Sequence, residues 1–172
     1  MSIKKIITEP KKILRQVSEP VEKVGKSEQD LMDDMLDTMY HAKGIGLAAV
    51  QIGVPKRIIV MDINWSNGEK NPLYFVNPVI KNRDNNKSIY EEGCLSVPNQ
   101  FAQIERPSKC KIEYLNYKGE KKILNADGLL ATCIQHEMDH LEGILFIDYL
   151  SKLKKGMIIK KLLKNKPDRI VV

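Results

Sequence analysis

The chain has 172 residues, of which 42% are hydrophobic, 29% charged and 6% aromatic. That is enough apolar material for one domain with a real core, which excludes wholesale disorder and any need for disulfides. Net charge is +6, and only five of the 28 basic residues are arginine (Arg15, Arg57, Arg83, Arg106 and Arg169), which argues against a sequence-specific nucleic-acid reader.

The three cysteines, Cys94, Cys110 and Cys133, have no regular spacing and fit a reducing compartment. No apolar run approaches the roughly 20 residues of a membrane-spanning helix. Residues 1–10 lack the apolar core of a secretory signal. The expectation is a cytoplasmic protein in which residues 1–172 form one domain.

The first 26 residues carry Pro10, Pro20 and Gly25 among scattered apolar side chains, and read as an extended arm over the core. Ser27, followed by acidic residues, reads as the N-cap of a helix. Its apolar stripe is Leu31, Met35, Leu36 and Met39, and Gly44 ends it. Residues 57–62 and 73–76 are apolar runs of strand type, the second followed by Asn77-Pro78. Residues 111–117 alternate at period two and turn at Lys118-Gly119 toward 122–124, a hairpin; Cys110 falls beside this strand. Helical patterns return over 128–141 and 151–163, before Pro167. Strands flanked by helices indicate an α+β fold.

His136-Glu137-Met138-Asp139-His140 is H-E-x-x-H on a predicted helix. Four residues apart, the two imidazoles share one face and can bind a single metal. Glu137 beside them can take a proton from a metal-bound water. Two of the only three histidines are used here; His41 reads as a solvated or capping residue near a helix end.

The third ligand is open on spacing. Phe146 stands where a metzincin would have its third histidine, and no glutamate follows Glu142. Asp148 and Asp168 leave an aspartate variant possible. Upstream, the choices are a cysteine, His41 or a carboxylate. Cys94, in Glu92-Gly93-Cys94-Leu95-Ser96, is favoured because a thiolate suits a soft or borderline metal. Gly44-Ile45-Gly46-Leu47-Ala48-Ala49-Val50-Gln51 is a third notable segment. Its glycines allow close backbone approach, and Gln51 is either an amide donor or a surface glutamine.

In this order, the three segments resemble the motifs of the peptide deformylase family. The resemblance spans nearly the whole chain. It implies antiparallel β-sheets packed around a central helix carrying H-E-x-x-H, with an N-terminal and a C-terminal helix. It implies removal of the N-formyl group from the initiator methionine of nascent polypeptides, with release of formate. Cys94, His136 and His140 would bind one divalent metal, iron(II) by family habit, with zinc, nickel or cobalt able to substitute. Glu137 would act as general base and acid, and the Gln51 amide and the Leu95 backbone N–H would donate to the formyl oxygen. The peptide would extend along Ile45 and Gly46, with Ile45, Leu129 and Cys133 around the methionine side chain.

The resemblance also sets Glu92 by the substrate, where pairing with Arg106 would help orient the Gln51 region. Phe101 stands where many bacterial members carry an arginine. Trp65, in a polar loop, has no assigned role. Competing readings are a metallopeptidase, a structural metal module closed by Cys133, and a ribosome- or nucleic-acid-binding protein using Lys152, Lys154, Lys155, Lys160, Lys161, Lys164 and Lys166. For a deformylase, the basic C-terminal helix could also meet the ribosome.

Overall fold

The computed structural model describes residues 2–164. Lys166, Pro167 and Asp168 lie outside them. Three α-helices run over Lys26–His41 (α1), Gly128–Leu141 (α2) and Lys152–Lys164 (α3). Seven strands cover Gly46–Ala48 (β1), Ile58–Met61 (β2), Leu73–Arg83 (β3), Lys87–Cys94 (β4), Val97–Pro107 (β5), Lys109–Leu115 (β6) and Lys121–Asp127 (β7). They form an antiparallel five-stranded sheet in the order β1-β2-β3-β6-β7 and a separate β4–β5 hairpin. No helix among the described residues is long and apolar enough to cross a membrane.

The four consecutive apolar residues of β2 follow from its place between two helical layers. Successive side chains of a strand point to opposite faces. Ile58 and Val60 therefore pack toward α1, with Met32, Met35, Met39, Leu47 and Val76. Ile59 and Met61 face α2, with Ala48, Phe75, Ile112, Ala131 and Ile134. Toward the far edge one face is open to solvent among the described residues, and the pattern becomes alternating: Cys110 and Ile112 of β6 are buried, while Lys109, Lys111 and Glu113 are exposed. Helix α2, which carries H-E-x-x-H, packs against both sheets. A third apolar cluster joins Val97 and Ile104 of β5 to Leu145, Phe146 and Ile147 and to α3.

Three expectations need correction. Ser27 is not the N-cap of α1. Gly25 holds that position, and the Glu28 carboxylate reaches back to accept from its N–H at 3.1 Å, as a capping box does. The helix ends at His41, before Gly44. The strand begun at Leu73 does not stop at Asn77-Pro78. Asn77 takes a φ of 49°, the register slips there, and β3 continues to Arg83. The Asn77 side chain exchanges two hydrogen bonds with the backbone of Val21, which stitches the arm to this bulge.

The arm crosses the core beside the site helix. Leu14 is fully buried, the Ile7 N–H donates to Gln51 O, the Glu9 N–H to Ser96 O and the Ser18 N–H to Leu141 O. Gly143, at φ 72°, closes α2. A Cβ there would lie 2.3 Å from the Arg15 carbonyl oxygen, so only glycine admits the arm at this crossing.

Hydrogen bonds from Lys56, Ser27 and Gly25 hold the Glu28 carboxyl at about 2. A depressed carboxylate pKa stabilises the fold above its ordinary value and stops doing so as pH falls through the folded one. Glu28→Gln should therefore cost about 1 kcal/mol at pH 7. The difference from wild type should fade between pH 4.5 and about 2, followed by urea denaturation.

Candidate active site

Helix periodicity puts His136 and His140 one turn apart on the buried face of α2. The β4–β5 hairpin brings the third donor. It turns tightly through Leu95 and Ser96, so that Cys94 pairs with Val97, and this aims the Cys94 thiol at the helix. Ligand atoms of Cys94, His136 and His140 all lie within 4.8 Å of one another, with Cys94 Sγ 3.3 Å from His140 Nε2. Among the described residues no other His, Cys, Asp or Glu completes such a cluster. His41 sits at the exposed end of α1. Asp148 is occupied by Arg15, Lys155 and the Leu145 N–H. Burial pushes the Cys133 thiol well up, a poor start for a fourth thiolate. Three donors of soft and borderline type at this separation fit one divalent transition-metal ion with an open position.

The orientation of His136 has a definite cause. Its Nδ1 meets Glu92 Oε2 at 2.9 Å, which leaves Nε2 for the donor cluster. Glu92 in turn accepts from Arg106 Nε at 2.6 Å and Nη2 at 3.0 Å. Arg106 also donates to Asp139, which accepts from the Tyr149 hydroxyl. Burial opposes ionisation of Glu92, but His136 and Arg106 outweigh it and hold the carboxyl below its usual range. The expected pairing of Glu92 with Arg106 is present; Glu92 also lines the cavity, and its carboxylate meets His136 as well.

Gln51 is 1% exposed, so it is not a surface residue. Its Oε1 accepts from the Ala48 N–H at 2.8 Å, and its Nε2 donates to Ser96 Oγ at 3.0 Å and lies 3.6 Å from Cys94 Sγ. The amide is thus locked with its donor end at the thiol. Ser96, fully buried, had no distinguishing signal in the sequence beyond its place in E-G-C-L-S.

Glu137 points into the same cavity. Its Oε2 is buried with no hydrogen-bond partner among the described residues, and burial pushes its carboxyl up to about 7. Gly46 makes room for it, since a Cβ on Gly46 would meet Glu137 Oε1 at 2.5 Å. The cavity, about 530 Å³, is lined also by Ile45, Leu95, Leu129 and Cys133. Cys133 is nearly buried in its wall, whereas Leu129 is 41% exposed at its rim. Phe101 lies across from Gly93, with its ring where a Gly93 Cβ would stand, so the mouth at that point is aromatic and not basic.

A carboxyl poised near neutrality beside three metal-type donors is hydrolytic equipment. On this framework it defines the class, an α+β hydrolase built on an H-E-x-x-H helix. The sequence matches the family model for polypeptide deformylase over residues 3–156. The peptide deformylase of Pelagibacter ubique is 72% identical over 172 residues, covering 100% of both chains. That of Phenylobacterium zucineum is 58% identical over 165 residues, covering 96% of this chain and 98% of its own. The crystal structure of Ehrlichia chaffeensis peptide deformylase in complex with actinonin superposes with a TM-score of 0.93 at 44% identity, covering 98% of this chain and 100% of that one. The chain belongs to the polypeptide deformylase family, enzymes that take the N-formyl group off nascent peptides.

Gly46→Ala tests the packing of Glu137 directly. The added methyl should displace the carboxylate and lower turnover by at least about tenfold. The thermal midpoint should move much less than for a core truncation, by differential scanning fluorimetry.

Proposed function

We propose that this chain hydrolyses the N-formyl group from the N-terminal methionine of newly made polypeptides, with one divalent metal held by Cys94, His136 and His140. The observation that carries this reading is the meeting of those three donors with the buried, partner-free oxygen of Glu137 in one cavity. When bound, such an ion would supply Lewis acidity and make a water acidic enough to react near neutral pH. The donor set accepts iron(II), zinc, nickel or cobalt; iron(II) is the proposed physiological ion.

Each protein group then has one task. Glu137, held near 7, takes a proton from the attacking water and passes it to the leaving amine. Gln51 presents an N–H to the formyl oxygen as negative charge develops there, and the Leu95 backbone N–H is the second proposed donor. Among the described residues β1 is an edge strand, paired on one side, and its Gly46 lines the cavity. An extended peptide can add along Ile45 and Gly46 through backbone hydrogen bonds, which ignore side-chain identity. Ile45, Leu129 and Cys133 would surround the methionine side chain.

In this reading residues 1–172 act as one catalytic domain in the cytoplasm. The exposed lysines of α3, Lys152, Lys154, Lys160, Lys161 and Lys164, favour contact with a polyanion such as the ribosome.

Anaerobically purified protein should contain one metal per chain and release formate from formyl-Met-Ala-Ser without cutting its backbone. Absence of both metal and formate would sink the proposal, and backbone cleavage would indicate a peptidase. Gln51→Leu should lower kcat by about 100- to 1,000-fold with metal content unchanged. Glu137→Gln should lower it by about 100- to 10,000-fold, again with the metal retained.

A further inference from the structure

Trp65 has no role assigned from the sequence, yet its loop contacts the Gly44–Gly46 segment at the cleft. The Asp62 N–H donates to Ile45 O at 2.9 Å, the last backbone step of the β1–β2 ladder after Gly46 pairs with Met61. Beyond it the chains diverge, and a side chain takes over. The Trp65 indole N–H donates to the Gly44 carbonyl at 2.8 Å. Two consecutive carbonyls of the Gly44-Ile45-Gly46 segment are thus held from this loop.

The loop itself is anchored. Asp62, 1% exposed, accepts from the Tyr40 hydroxyl at 2.7 Å, from the Asn71 N–H at 2.9 Å and from the Asn64 N–H at 3.2 Å. The Trp65 ring packs on Tyr40 with centroids 5.3 Å apart. A Cβ on Gly44 would lie 2.6 Å from Leu95 Cδ1, so Gly44 is in close contact with the hairpin turn next to Cys94.

We infer that Trp65 is a positioning residue for peptide substrates: its indole N–H holds the Gly44 carbonyl just before β1 and fixes the Gly44–Gly46 edge to which the peptide backbone adds. The inference rests on the peptide-binding mode proposed above. Because the indole acts on the binding edge and not on Glu137, its loss falls on KM more than on kcat. Trp65 is also the only tryptophan in the chain, so its fluorescence reports on this edge alone.

The test compares holoenzyme with its Trp65→Phe variant, which keeps the ring contact and removes the donor. KM for formyl-Met-Ala-Ser should rise about fivefold, roughly the loss of one hydrogen bond's positioning. The value of kcat should stay within about twofold, since proton transfer through Glu137 is untouched. KM for formyl-methionine amide, which has no following residues, should rise much less. An unchanged KM for the tripeptide, or an equal rise for both substrates, would overturn the inference. A second measurement needs no change at Trp65: Glu137→Gln holoenzyme titrated with formyl-Met-Ala-Ser should show a saturable change in tryptophan emission. A flat trace would overturn the inference, and this titration decides if Trp65→Phe fails to fold. If wild type releases no formate from either substrate, the deformylase reading falls and this inference with it; formate release with unchanged KM in the variant removes the inference alone.

Discussion

A guanidinium that is 4% exposed sits behind the site and sets its orientation. Arg106 gives two hydrogen bonds to Glu92 and one to Asp139. Glu92 in turn fixes Nδ1 of His136, so the ring can turn only Nε2 toward Cys94 and His140. Three elements meet in this arrangement: β4 supplies Glu92, β5 supplies Arg106, and α2 supplies His136 and Asp139. Removing one member of a buried ion pair leaves the other charged and unpartnered, typically at a cost of about 3–5 kcal/mol. The network therefore locks the hairpin to the helix as well as orienting the His136 ring. Tyr149 extends it toward the surface by donating to Asp139 and by lying under the Arg106 guanidinium.

Space is controlled as tightly as charge. Gly46 is bare so that Glu137 can lie against β1, Gly44 so that Leu95 can close on it, and Gly143 so that the arm can pass over the end of α2. In each case the neighbour stands where a Cβ would be, and interiors packed to crystal density have no slack to absorb a methyl. The glycines thus mark contacts between elements distant in sequence. The N-terminal arm uses one of these contacts, and by bonding to the backbone at Gln51, Ser96 and Leu141 it ties together the three motif segments.

The chemistry of the cavity follows from burial applied unevenly. Glu137 loses water without gaining a partner, and its carboxyl rises to about 7. Glu92 is equally buried but has Arg106 and His136 beside it, and stays ionised. Two carboxylates on one site are therefore set to different states, one near neutrality and one ionised against His136 and Arg106.

Much of this was legible in the chain. Periodicity located α1, α2, α3 and the β6–β7 hairpin, because side-chain burial repeats at the period of the element that carries it. H-E-x-x-H put two imidazoles on one helical face by geometry alone, and the match of three ordered motifs pointed to the family. What local sequence could not decide was anything that depends on two distant segments meeting. The long β4–β5 hairpin, with mixed polar and apolar residues, had no clean alternation to announce it. That Cys94, and not Asp148 or His41, comes beside the two imidazoles depends on where that hairpin turns. The contact of Glu92 with His136, the burial of Gln51 and the indole bond from Trp65 to Gly44 all arise across 20 or more residues of chain. Residue type states which bonds a side chain can make, and only the tertiary fold decides which partner comes within reach.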